Sequence, residues 1–406
     1  MTIIHSIIAN KLKLRWASHY SRVTGKPVPS GLSFSVYSSF TDVPSSTWNL
    51  GNLKNDVFLS SEYLSALEQA PPDNMEFRYV VFIDHNIPVG IAYFQILELD
   101  RRLHRPVHGI WSRFHDRFAS HLSLRLLVCG NVLLSGEHGF MFAESHSEQA
   151  LHAIAEVAFS IRRSEKRKVS VTLVKDFYDK HEYPRHILET FGYYSFDAGP
   201  NLVIPIRSNW VSFDAYLGEM KSKYRKRATS SIKKGTMLKR KSLDLDDLIK
   251  YRNEVFALYS EVVDKAKYKL FVLSPDYFVE LKRKLGDLFI CEAFFHEGIL
   301  VGFTTRILNN EMMEGYAHGL HYSQNKTFEL YQNFMLDDIR AAIDKPFLRI
   351  NTGRTSIAMK SSVVAQAEDM TCYMRFSGRL SNQLLKPLFA FIKPSNEFCR
   401  NPFEDE

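Results

Sequence analysis

The sequence contains few cysteines, and they are widely separated. The four are Cys129, Cys291, Cys372 and Cys399, and they include no C-x-x-C pair. A zinc site or a disulfide framework is therefore not expected, and we predict no metal centre. This cysteine usage is typical of a reducing cytoplasm, which is the compartment we expect.

Long apolar runs and targeting signals are also lacking. No apolar stretch approaches the roughly 20 residues that a membrane-spanning helix needs. The first eight residues lack a basic n-region and a small-residue cleavage site. We therefore predict neither a transmembrane segment nor a signal peptide.

The charge of the chain is not dominated by one sign. Its 406 residues include 52 Lys plus Arg and 45 Asp plus Glu, which gives a net charge of +7. This mild excess permits an acidic partner without requiring one. The 45% apolar fraction is typical of a folded protein, and the length predicts two or three domains.

The chain repeats one order of predicted elements. Residues 78–96 have the pattern of a β-hairpin around an Asp-His-Asn turn, and residues 288–307 repeat it around a His-Glu-Gly turn. In each half a strand, a helix and a further strand follow, and the helix of the second half is predicted over residues 328–343. This repetition predicts a duplicated mixed α/β domain.

The predicted fold is a mixed α/β (α+β) fold with two tandem domains, each a central mixed sheet flanked by helices. We place the first domain at residues 1–205, with an insertion at 101–123, and the second at residues 206–375. Residues 376–406 form a tail with an amphipathic stretch. That stretch either packs back on the domain or makes peripheral contact with a membrane surface.

A basic run opens the second domain. Between Lys221 and Lys241, ten of 21 residues are basic and none is acidic. The run is either a solvated helix face, a docking surface for an acidic carrier protein or for RNA phosphates, or a contact with an anionic membrane. The residues that we assign to contact with a donor or its carrier are Lys223, Arg225, Arg227 and Lys233.

The predicted strand at residues 311–322 carries the best candidates for catalysis. Simple alternation places Glu314, Tyr316 and His318 on one face. Acyl transfer to an amine needs a base and a proton donor, so we assign His318 or Glu314 as the base and Tyr316 as the donor. The alternative is a half-buried strand whose polar face meets solvent.

Two loops supply candidate binding residues. Arg354 offers a fork for a carboxylate or phosphate, and Lys360 offers a point charge, in a loop that follows a predicted strand. His138 lies in a loop with two glycines, where it either faces a ligand or is structural. Tyr331 either reaches the cleft or lies on the surface.

These motifs together resemble the FemAB-like branch of the GNAT acyltransferase superfamily. The resemblance rests on the tandem domains, the basic segment, Gly353-Arg354-Thr355 with Lys360-Ser361, and the runs at residues 129–140 and 325–333. It implies acyl transfer and these substrate-binding residues: Arg354, Thr355, Lys360, Ser361, Asn325, Tyr331, Asn131 and His138. The chain differs from those relatives at Ala358 and Val364, where they tend to carry glutamate and glycine.

Neither half has the glycine-rich turn that holds coenzyme A pyrophosphate in ordinary GNAT enzymes. Free coenzyme A is therefore less well supported as the donor than the resemblance alone implies, and a donor carried on an acyl carrier protein or a tRNA fits the sequence.

The function that we predict is transfer of an acyl group from acyl-CoA or an acyl carrier protein to the amine of a small amino-acid-like acceptor. The donor is a co-substrate, and no permanently bound cofactor is expected. The alternatives are an aminoacyl-tRNA-dependent amino acid transferase and a non-catalytic binding module.

Overall fold

The computed structural model describes most of the chain. The described residues are 20–21, 26–48, 56–99, 124–178, 186–197, 199–266, 269–345, 347–354, 356–363, 365–378, 381–382 and 402–403. The predicted insertion at 101–123, Thr355, Val364 and most of the predicted tail lie outside them.

The described chain forms two compact units. Unit 1 comprises the described residues within Met1–Lys54, Asn74–Gly199 and Asp369–Pro394. Unit 2 comprises those within Asn55–Asp73, Pro200–Glu368 and Ser395–Glu406.

Unit 1 is built on a sheet with the strand order β1-β2-β3-β4-β6-β15-β7, and β5 pairs with β3. Its strands are β1 Ser33–Tyr37, β2 Met75–Asp84, β3 Ile87–Leu99, β4 Leu124–Cys129, β5 Phe140–Phe142, β6 Val171–Tyr178, β7 Tyr194–Asp197 and β15 Met370–Phe376. Its helices are α1 Ser45–Trp48, α3 Ser147–Ser164 and α4 His186–Thr190.

Unit 2 is built on a sheet with the order β14-β8-β13-β12-β11-β10-β9. Its strands are β8 Asn201–Pro205, β9 Lys239–Ser242, β10 Phe289–His296, β11 Ile299–Asn309, β12 Met312–Leu320, β13 Arg349–Asn351 and β14 Gln366–Glu368. Its helices are α2 Ser61–Gln69, α5 Phe213–Glu219, α6 Ser222–Gly235, α7 Leu245–Lys250, α8 Arg252–Lys265, α9 Tyr277–Leu285, α10 Tyr322–Phe328, α11 Leu330–Asp344 and α12 Ile357–Lys360.

The two sheets have the same topology. In each, one parallel pair lies among antiparallel neighbours: β4 with β6 in unit 1, and β12 with β13 in unit 2. The predicted hairpins are β2–β3 and β10–β11. The duplicated mixed α/β fold with helix-flanked sheets is therefore confirmed.

The units differ from the predicted sequence boundaries because three segments pack with the other half of the sequence. Strand β8 pairs with β13 and β14 in unit 2, whereas β15 pairs with β6 and β7 in unit 1. The stretch that carries α2 belongs to unit 2, where the Asn309 amide oxygen accepts a hydrogen bond from the Val57 backbone at 3.1 Å. Such long-range pairing leaves no local trace in a sequence.

Each unit has its own hydrophobic core. Helix α3 buries Leu151, Ile154 and Ile161 against the sheet of unit 1, at the spacing of one helix face. In unit 2, α11 buries Leu336 and Ile339 in a cluster that includes residues of β12 and β13. Among the described residues, no helix is both long and apolar enough to span a bilayer.

The helix predicted over residues 328–343 begins at Leu330, after a break at Glu329. Glu329 has φ 48°, a left-handed conformation, and it separates α10 from α11. Its carboxylate accepts hydrogen bonds from the Ser231 hydroxyl and, at 2.6 Å, from Lys234 Nζ of α6. These bonds offset the roughly 1 kcal/mol or more that a non-glycine residue costs in this conformation. The break orients the first turn of α11, which carries Tyr331.

Candidate active site

Two parallel strands of unit 2 separate at their carboxyl ends. The pairing of β12 with β13 ends at Glu314 and Asn351. Beyond that point the Thr352 amide bonds to Leu202 of β8, whereas β12 stays paired with β11 as far as Leu320. Open α/β sheets bind ligands at the carboxyl ends of their strands. The candidate site lies at this divergence.

A β-bulge interrupts β12 beside the divergence. The pairing with β11 shifts by one residue, so that Tyr316 and Ala317 both lie opposite Thr305. The Thr305 hydroxyl accepts a hydrogen bond from the Ala317 amide at 2.9 Å and donates one to the Ala317 carbonyl at 2.9 Å. The side chain thus replaces the ladder bonds that the bulge removes.

The bulge overturns an expectation from simple alternation. Glu314 pairs with Ile307 and His318 pairs with Thr304. Because Ile307 and Thr304 are three residues apart on one strand, they point to opposite faces of the sheet. The prediction that Glu314 and Tyr316 share a face with His318 is therefore wrong.

Helices cover the two faces of this sheet, and we name the faces after them. On the α11 face, the His318 ring centroid lies 5.0 Å from that of Tyr331 and 6.4 Å from that of Phe334. On the α9 face, the Tyr316 ring stacks against Tyr277 at 6.3 Å.

The Tyr316 hydroxyl belongs to a closed cluster on the α9 face. It hydrogen-bonds to the Tyr63 hydroxyl at 2.9 Å and to the Tyr277 hydroxyl. Burial raises the pKa of Tyr316 and of Tyr277 well above the usual value, so both phenols are protonated at neutral pH. The cluster ties α2 and α9 to β12, which is a structural role.

His318 presents a neutral imidazole. Burial, together with the smaller effect of the nearby Lys360 charge, lowers its pKa to about 4. Within the described part of the chain, neither ring nitrogen makes a hydrogen bond, and the residue keeps partial solvent access. A neutral ring with uncommitted nitrogens can accept a proton from a substrate.

Lys360 is a buried amine at the end of α12, and it is only 5% exposed. Its Nζ donates a hydrogen bond to the Thr352 carbonyl, and no carboxylate of a described residue forms an ion pair with it. Burial lowers its pKa to about 7. A substantial fraction is therefore deprotonated at neutral pH, which suits a general base.

Arg306 and Asp338 also lie on the α11 face, and neither was predicted from the sequence. Arg306 Nε lies 3.5 Å from Asp338 Oδ1, and the two residues are 4% and 9% exposed. Burial raises the pKa of Asp338 to about 6, although the charge of Arg306 acts in the opposite direction. A charged residue inside the apolar strand β11 was the signal that could have revealed Arg306.

The other predicted residues of unit 2 have varied surroundings. Ser361 is fully buried, and Arg354 lies partly buried in the loop before α12. The Asn325 side chain accepts a hydrogen bond from the Tyr331 amide at 3.1 Å, which supports the start of α11. Burial raises the pKa of Tyr331, and the neighbouring Ser356 side chain acts in the opposite direction, so the phenol of α11 lies beside the segment that carries Lys360.

Asn131 and His138 belong to a loop of unit 1 at the corresponding strand divergence. Lys175 Nζ donates hydrogen bonds to the Asn131 carbonyl at 2.8 Å and the Leu134 carbonyl at 2.9 Å. A side chain at Gly136 would collide with the His138 ring. These contacts fold the loop onto itself beside β6 within unit 1.

Helix α6 places the basic run beside the Lys360 segment. Lys223, Arg225, Arg227 and Lys233 are all exposed on it. Arg227 Nη2 lies 3.5 Å from the sulfur of Met359, which is the neighbour of Lys360 in α12. The opposite side of α6 buries small residues in unit 2. Among the described residues, no group of His, Cys, Asp and Glu has the geometry of a metal site.

The fold is that of FemX, as the resemblance to FemAB-like proteins predicted. A solved structure of FemX is 11% identical to the chain, with 88% of this chain and 99% of FemX covered, at a TM-score of 0.54. A tandem GNAT protein from the clavulanic acid biosynthesis pathway is 10% identical over 86% of this chain and 99% of its own, at a TM-score of 0.49. At 11% identity the similarity to FemX shows the fold alone.

L-PGS from Bacillus licheniformis is also similar, at 10% identity, with 81% of this chain and 96% of its own covered and a TM-score of 0.47. No protein-family model matches the chain, and no curated protein sequence is significantly similar to it.

Proposed function

We propose that the chain is an acyltransferase whose site is the strand divergence on the α11 face of unit 2. In this proposal it moves an acyl group from a thioester to the amine of a small amino-acid-like acceptor. The observation that carries the proposal is the buried Lys360 amine, whose pKa of about 7 accompanies a neutral His318 on the same site. Burying an amine without a partner carboxylate destabilises the folded state, and side chains with such perturbed pKa values cluster at functional sites.

The two groups divide the proton transfers between them. Neutral Lys360 takes a proton from the ammonium group of the acceptor, which frees the amine to attack the thioester carbonyl. The new C–N bond forms, and His318 takes the second proton from the attacking nitrogen. The C–S bond then breaks, and His318 returns that proton to the leaving thiolate. Lys360 releases its own proton to water.

The exposed face of α6 supports a donor that carries phosphate groups. Lys223, Arg225, Arg227 and Lys233 lie on the helix that contacts α12, so a phosphate-bearing carrier bound there would hold its thioester near Lys360. An acyl carrier protein fits this arrangement. Aminoacyl-tRNA is the second candidate donor, because the same basic surface attracts RNA phosphates, and an ester bond would then break instead.

The experiment that tests this function is a transfer assay with purified protein, read by mass spectrometry of the products. Acyl-CoA, acyl carrier protein and aminoacyl-tRNA are each offered as donor with a mixture of amino acids as acceptors. We expect a new N-acyl amino acid with a thioester donor, and none from a Lys360→Met protein. An N-aminoacyl product from tRNA alone would favour the second candidate. The absence of any product with all three donors would contradict both and favour the binding module.

Replacing Tyr316 with phenylalanine is expected to leave the transfer rate within about threefold of the wild-type rate. The Tyr316 hydroxyl is committed to Tyr63 and Tyr277 on the α9 face, away from His318. The free energy of unfolding should fall by about 1 kcal/mol, since a buried hydrogen-bonding group is lost. Initial rates and urea unfolding measure both effects, and a loss of rate of about 100-fold would instead assign Tyr316 to catalysis.

A further inference from the structure

Gly315 carries no side chain on the α11 face, and we call the space that it leaves beside Arg306 the recess. Arg306 pairs with Gly315 across the β11–β12 ladder. A Cβ placed on Gly315 would meet, among described atoms outside its chain neighbours, only the Asn351 carbonyl oxygen at 3.1 Å and Thr352 Cα at 3.9 Å. Gly302 of the same sheet differs, because Phe334 covers it. The position beside Arg306 is therefore not covered by a described side chain.

The guanidinium of Arg306 has unused hydrogen-bonding capacity in this recess. The distance of 3.5 Å from its Nε to Asp338 Oδ1 exceeds that of a good N–H···O bond, and both atoms are buried without a hydrogen bond. No hydrogen bond joins the terminal nitrogens of Arg306 to another residue within the described ranges. Nε has therefore lost its hydration without gaining a hydrogen bond, whereas the terminal nitrogens remain available to acceptors that enter the recess.

The ligand chemistry follows from the geometry of arginine. Its planar fork matches a carboxylate through two parallel N–H···O bonds, and arginine is over-represented where carboxylates are recognised in this way. Arg306 and His318 project from neighbouring strands on the same face, at pairings on either side of the bulge. A short molecule that carries both an amine and a carboxylate can therefore contact both residues at once.

We propose that Arg306 binds the carboxylate of the acceptor and so restricts the acceptor to amino acids, which rests on the acyltransfer function proposed above. Asp338 holds the guanidinium at the floor of the recess. The bound carboxylate supplies the acceptors that Arg306 lacks, and it fixes the amine toward His318 and Lys360. Arg306 thus determines specificity and takes no part in the proton transfers.

The test compares each amino acid with its amide and its decarboxylated amine as acceptors. We expect wild-type protein to prefer the amino acid by roughly 100-fold or more in kcat/KM, because loss of the carboxylate leaves Arg306 unpaired. In Arg306→Met protein the three acceptors should become equivalent. An Arg283→Met protein serves as the matched control, since Arg283 is exposed on α9. Equal use of acids and amides by the wild type would overturn the inference while leaving the function intact.

A double variant and a binding measurement keep the test decisive. If Arg306→Met does not fold, the Arg306→Met/Asp338→Leu protein removes both buried charges and is expected to fold. Calorimetric titration with N-acetylglycine and with its methylamide needs no acyl transfer. We expect the wild type to bind the acid alone and the double variant to bind neither. Equal binding of the acid by both proteins would overturn the carboxylate assignment, whereas failure of transfer alone would contradict only the proposed function.

Discussion

A Lys360→Met protein is expected to lose transfer activity by about 1,000-fold, because general base catalysis contributes on that order. The same protein should be more stable than the wild type. A lysine whose pKa falls from 10.5 to about 7 on folding costs the folded state about 5 kcal/mol, and loss of the bond to Thr352 returns about 1–2 kcal/mol. We therefore expect a net gain of about 3 kcal/mol at pH 6 in urea unfolding.

The stability that Lys360→Met gains over the wild type is expected to depend on pH. Below pH 7 the amine is protonated in both the folded and the unfolded chain, so the cost of burying the charge is complete. Between pH 7 and 10.5 the unfolded chain binds more protons, so the wild type gains stability as the pH rises. The advantage of Lys360→Met should thus shrink at high pH. The control is a Lys326→Met protein, altered at an exposed lysine, which should show neither the gain in stability at pH 6 nor its decrease at high pH. A Lys360→Met protein that is less stable than the wild type at pH 6 would contradict the burial argument.

Replacing His318 with glutamine is expected to slow transfer by about 100-fold and to leave the acceptor KM within about threefold. Glutamine keeps a polar group beside Tyr331 but cannot carry the proton between the attacking nitrogen and the leaving sulfur. The matched control is His85→Asn, because His85 is highly exposed in a turn of unit 1 with φ 46°, a conformation that asparagine tolerates.

Steady-state kinetics of both histidine variants with the same donor give the comparison. A rise in KM without a change in kcat for His318→Gln would assign the ring to binding alone. An unchanged rate would place the chemistry elsewhere.

The sequence predicted the fold more completely than the arrangement of the site. Hairpins, an amphipathic helix and a repeated order of elements are local patterns, and they were enough for the duplicated sheet. The exchange of β8 and β15 between the two units was not predictable in this way, because a strand pattern does not specify its partner. The same limit explains why α2 was placed with the first half.

The site was only partly predictable for a related reason. His318 was identified as a candidate base from its strand, and Lys360 as a substrate-binding residue mainly from the family resemblance. The structure brings the two together, because the charge of Lys360 acts on the pKa of His318. The bulge opposite Thr305 was invisible, since one extra residue in a strand leaves no mark on a pattern with period two. It separated His318 from Glu314 and placed Arg306 beside the site instead. Asp338 lies on α11, and the apolar periodicity that predicts this helix does not show which of its polar residues are buried.

The dependence of kcat on pH, at saturating donor and acceptor, tests the central assignment most directly. If Lys360 is the base, kcat should be half-maximal near pH 7 and should fall about tenfold for each pH unit below it, because only the neutral amine accepts a proton. His318, with a pKa of about 4, would contribute no change between pH 5.5 and 9. A kcat that stays constant from pH 5.5 to 9 would contradict the assignment of Lys360 as the base.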